Sequence, residues 1–164
     1  MADITFQHAF GTTTTFGTLT NLHSLADGNI WNSGAISNTS PVEQIAQISY
    51  NLVFNATPVA GDYLAFWLIN EDGDATTPYW PGQIGATEGE ISAAGSIAEA
   101  LAAMGQPHHI HAWQTSHGAT FRGLFNAWLP KEDWQVCIRA VGEALSASSN
   151  VVRYRYITPT TVGL

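Results

Sequence analysis

"QISYNLVFNATPVAGDYLAFWLI", residues 47–69, contains two strands of different character. In the first, Ile48, Tyr50, Leu52 and Phe54 alternate with Gln47, Ser49 and Asn51. That period of two predicts a strand with one buried face. In the second, residues 63–69 (YLAFWLI) are apolar on both faces, which predicts a central strand covered from both sides.

Short β runs bounded by Gly, Asn, Asp, Ser and Pro clusters continue outward from this pair. They fall at residues 12–20 (TTTTFGTLT), 29–37 (NIWNSGAIS), 109–113, 121–128, 134–141 and 151–158. In the last, Val152, Tyr154 and Tyr156 face one way and Arg153 and Arg155 the other. One helix is predicted, over residues 97–104. Ser96-Ile97-Ala98-Glu99 has the form of a capping box, and Gly105 and Pro107 are stop signals. The expected fold is all-β, an antiparallel β-sandwich or jelly roll with one short helix in an insertion.

The chain has 164 residues and no break in composition, so residues 12–164 read as a single β-sandwich domain. Residues 1–11 read as an N-terminal arm or an added strand, because Ile4, Phe6, His8 and Phe10 alternate. Thirteen acids face five bases, for a net charge of -8. Such a balance supplies no cationic surface for phosphates, and nucleic acid is not an expected partner. Cys137 is the only cysteine, so no disulfide forms within the chain. The start, MADITFQHAFG, lacks a basic segment followed by an apolar run, and no stretch is long enough to span a bilayer. A soluble protein made in the cytoplasm, with no membrane partner, is expected.

Four of the six histidines fall in "GQPHHIHAWQTSHG", residues 105–118. His109 and His111 share one strand face, and with His117 they could chelate zinc, as in a cupin-like metalloenzyme. The motif is incomplete, because a cupin set needs a carboxylate a few residues downstream and the next acid is Glu132. Glu71-Asp72-Gly73-Asp74 reads as a hairpin turn before it reads as a calcium site. There is no Gly-x-Ser-x-Gly and no phosphate-cradling glycine loop, so no catalytic residue and no cofactor are assigned. Tyr79 and Trp80, in "TTPYWPGQ", could stack on a sugar, as a tail or baseplate carbohydrate-binding module would. They could equally plug a neighbouring subunit or cover a sheet edge. With Ile4, Phe6 and Phe10 of the arm they are the candidate partner-binding residues.

Three segments together resemble a family of small tailed-bacteriophage virion proteins. They are "LHSLADGNIWNSGAISNTS" (22–40), "QISYNLVFNATPVAGDYLAFWLINEDGDATTPYWP" (47–81) and "WQVCIRAVGEALSASSNVVRYRYIT" (134–158). Residues 84–117, with the helix and histidines, have no counterpart in that pattern. The resemblance implies a β-sandwich decoration or cement protein on the capsid surface. It would be a homo-oligomer, often a trimer, whose partners are itself and the major capsid protein. It implies no active-site residue.

Overall fold

A computed structural model of the chain describes residues 4–17, 19–38, 44–71, 80–114, 118–129 and 132–163, with side chains from residue 9 to 158. Its strands are β1 (Ile4–Phe10), β2 (Thr14–Thr15), β3 (Ile30–Asn32), β4 (Ile45–Val53), β5 (Tyr63–Asn70), β6 (Gly89–Ile91), β7 (His109–Ala112), β8 (Thr120–Trp128), β9 (Trp134–Val141) and β10 (Val151–Gly163). One helix, α1 (Ala94–Met104), lies between β6 and β7. The first sheet runs β1-β10-β4-β8, with β2 also on β10, and the second runs β6-β3-β9-β5-β7. All pairings are antiparallel. The chain is an antiparallel β-sandwich with one helix among the described residues, as its residue patterns predict.

The two diagnostic strands behave as their patterns require. In β4, Ala46, Ile48, Tyr50 and Leu52 are buried and alternate with half-buried Gln47, Ser49 and Asn51. They meet Leu64, Phe66 and Leu68 of β5 in the core between the sheets, alongside Trp31, Phe121 and Trp134. The other face of β5 carries Ala65, Trp67 and Ile69, which pack under the helix side with Ile84, Ile91, Ala100 and Cys137. That second apolar layer is why β5 needs no polar face.

The element edges differ from the sequence reading. The 12–20 run forms a strand only at Thr14–Thr15; Phe16 still donates its N–H to the Val152 carbonyl at 3.2 Å and buries its ring against Trp134 and Tyr154. The 29–37 run narrows to Ile30–Asn32 and bends at Gly34, whose φ is +73°. The helix starts a turn earlier than expected, with Ala93 as its cap and no side-chain capping bond. Ser96 therefore lies inside the helix, and the capping box does not form, since the Ala93 carbonyl already accepts the Ile97 N–H at 2.9 Å. Gly105 ends the helix as expected, at φ +66°.

The N-terminal segment pairs within its own chain. Residues from Ile4 to Phe10 lie antiparallel to Gly163 back to Ile157. On its other side β10 pairs with β4 only as far as Tyr156. Among the described residues, the outer part of this pair is thus a two-stranded ribbon, a form that is marginal in isolation.

Cys137 is fully buried, and burial pushes its thiol far above the usual range. It is expected to stay unmodified by a soluble aromatic disulfide in native buffer and to react once the chain is unfolded. Absorbance of the released thiol reads both states.

Candidate functional site

Two places gather side chains that the core does not need. The first is the outer face of the β1-β10-β4-β8 sheet. Its strands contain no Asp or Glu, yet Arg122, Arg153 and Arg155 are three of the chain's five basic residues. Strand register brings them into line: Arg155 sits opposite Gln47, Arg153 opposite Ser49 and Arg122 opposite Asn51. Neutral amides hold two of the guanidiniums. Arg122 Nε donates to Asn51 Oδ1 at 2.7 Å, and Arg155 Nε donates to Gln47 Oε1 at 2.9 Å. The Arg155 guanidinium also lies 4.1 Å above the Phe10 ring, a cation–π contact.

Large apolar groups stand beside these cations. Trp128 is 75% exposed, Leu124 60% and Phe10 54%. Phe10, Ile45, Trp128 and Ile157 line a groove of about 300 Å³ with Gln47 and Asn126. It opens where β10 leaves β4 and continues as the ribbon with β1. An exposed aromatic in a shaped groove, ringed by preoriented polar groups, is the build of a protein–protein anchor.

The second place is the histidine strand. β7 is an edge strand on β5, with His111 opposite Leu64 and His109 opposite Phe66. Both imidazoles reach across to Tyr50 of the facing sheet. Tyr50 Oη lies 3.0 Å from His109 Nε2 and 2.8 Å from His111 Nδ1. One imidazole accepts the phenol proton while the other donates its own N–H to the same oxygen. Phe66 and Phe125 flank His109, the latter stacked at 5.0 Å, and Phe121 meets the edge of His111. Burial pushes the Tyr50 phenol up to about 12 and lowers His109 from its ordinary value, favouring the neutral form of each.

Gly123 makes room for this arrangement. It sits opposite Tyr50 on β8, and a Cβ there would strike the phenol oxygen. Gly123→Ala is expected to push Tyr50 out from between the imidazoles at a cost of roughly 1–3 kcal/mol. Urea unfolding gives the energy, and the histidine ring NMR shifts report the lost contact.

The sequence-predicted residues divide. Phe10 stands on the first site, whereas the side chains of Ile4 and Phe6 lie outside the described residues, as do Tyr79 and His117. Of the readings open for Trp80, the cover over its own sheet is the one found, and its place among the partner-binding residues is corrected. Trp80 is 6% exposed and packs with Ile84 and Trp67 in the layer under the helix, so it offers no ring to a sugar or a partner. Trp80 and Ile84 cover an apolar sheet face that would otherwise be wet. His109 and His111 do share a face, but among the described residues no three of His, Cys, Asp and Glu converge. Tyr50 and Trp128 were missed as site residues. The one signal for the outer face was three arginines on strand segments free of acids.

No protein-family model matches the chain, and no curated protein is significantly similar to it.

Proposed function

We propose that the protein is a structural component of a tailed-phage particle, a capsid decoration protein that assembles with itself and adheres to the major capsid protein. The observation that carries this reading is the outer face of the β1-β10-β4-β8 sheet. A chain of net charge -8 gathers three arginines, an exposed Trp128 and an exposed Phe10 on strands free of acids. Such a face suits a partner that offers carboxylates and an apolar side chain for the groove. Attachment is then a matter of buried area, with many weak sites over a shell adding up through avidity.

The β1–β10 ribbon supports the self-association half. It runs on past the β4 pairing, which ends at Tyr156, as an extended segment that can reach a second copy. Deleting residues 2–10 is expected to leave a folded sandwich that no longer binds empty phage heads in co-sedimentation. Full binding by the truncated chain would remove the ribbon and Phe10 from the contact.

A further inference from the structure

We propose that Tyr50, His109 and His111 form a binding site for one divalent transition-metal ion, with Tyr50 Oη, His109 Nε2 and His111 Nδ1 as its three protein ligands. This goes beyond attachment to a particle and does not depend on it.

The geometry carries the inference. Ring nitrogens of two histidines on one sheet approach a single phenol oxygen of the other, with oxygen–nitrogen separations of 3.0 and 2.8 Å. Ligands bound to an ion at about 2.0–2.2 Å lie roughly 3 Å from one another, so each histidine–tyrosine pair already has the spacing of two ligands, and the ion turns the nitrogen lone pairs from the oxygen to itself. Aromatic packing against Phe66, Phe121 and Phe125 already fixes the rings. A preset ring orientation is what outer-shell contacts ordinarily supply to ligating histidines. A cavity of about 370 Å³ opens beside the three groups, leaving space for water or another small ligand to complete the coordination.

The donor chemistry selects the ion. Two imidazoles and a phenolate are borderline nitrogen and hard oxygen ligands, which favour copper(II) first and zinc(II) next. On binding, the phenol proton leaves to solvent and the oxygen takes the metal as phenolate, while the imidazole that donated its N–H to the phenol carries that proton on its other ring nitrogen instead, so that all three ligands bind through lone pairs. His108 serves otherwise, since its Nδ1 accepts the Leu68 backbone N–H at 3.2 Å.

The test uses the full chain, purified without a histidine tag, stripped with a chelator and titrated with copper(II) and zinc(II). One ion per chain is expected, and the copper form should show a phenolate-to-copper charge-transfer band in the visible. Tyr50→Phe removes one oxygen and keeps the ring. It should abolish the band and weaken binding by about tenfold or more. His109→Ala and His111→Ala should each weaken it further, while His108→Ala leaves it unchanged. Near-ultraviolet circular dichroism checks that each variant is folded. If a histidine variant does not fold, the band and its loss in Tyr50→Phe decide. No uptake at micromolar metal, copper uptake without the band, or affinity indifferent to Tyr50→Phe would each overturn the proposal.

Discussion

Trp128→Ala is expected to weaken attachment to empty heads by about 30-fold or more while leaving the melting temperature within about 2 °C. The two halves of that result have different origins. Trp128 ends β8, opposite Ile45, and 75% of its surface faces solvent, so the folded chain loses little when the ring goes. Substitutions at such positions usually change stability by no more than about 0.5 kcal/mol. A partner that covers the ring loses an anchor in the groove, and anchors of this kind are worth about 2 kcal/mol or more. Arg122→Ala and Arg153→Ala should act differently, slowing association and reducing its salt dependence. Co-sedimentation gives the affinity, and differential scanning calorimetry gives the melting temperature. A large drop in melting temperature would mean that Trp128 is structural.

The second large effect concerns the sandwich itself. Glu88→Ala is expected to destabilise the fold by roughly 2–4 kcal/mol. Glu88 Oε1 accepts the indole N–H of Trp31 at 2.6 Å and the backbone N–H of Asn21 at 3.0 Å. Its Oε2 accepts from the Asn21 side chain at 2.7 Å. Trp31 is fully buried, so deleting the carboxylate leaves its N–H in the core with no acceptor. The same residue ties the loop at 20–24 to the segment entering β6. Glu88→Gln keeps one acceptor oxygen and should recover part of the loss. Urea midpoints of the three proteins measure the difference, and equal midpoints would show that water replaces the carboxylate.

The fold was legible where a pattern has one physical cause. Alternation in β4 and the two-sided apolar run of β5 mark a half-covered and a fully covered strand, and both lie so. Edges were less legible because they depend on tertiary competition. The 12–20 strand stops at Thr15, where Phe16 turns its ring into the core, and Ala93 starts the helix with no side-chain signal at all. Trp80 stayed open between a partner contact and a cover for its own sheet, because the apolar layer beneath it is assembled from strands far away in sequence.

The sites were legible only in part. His109 and His111 were placed on one face by spacing alone. Their partner Tyr50 lies 59 and 61 positions earlier, and only the stacking of two sheets brings it near. The outer face was harder to see, since Trp128 continues a strand whose inward positions are Phe121, Gly123, Phe125 and Ala127. Its outward direction follows from register, which a single sequence does not fix.

The first measurement to make is backbone hydrogen exchange of the full chain, free and bound to empty phage heads. Slowed exchange over β8, β4 and the β1–β10 ribbon is expected, with α1 and β6 unchanged. No binding to heads, or protection confined to α1 and β6, would contradict attachment through the outer face.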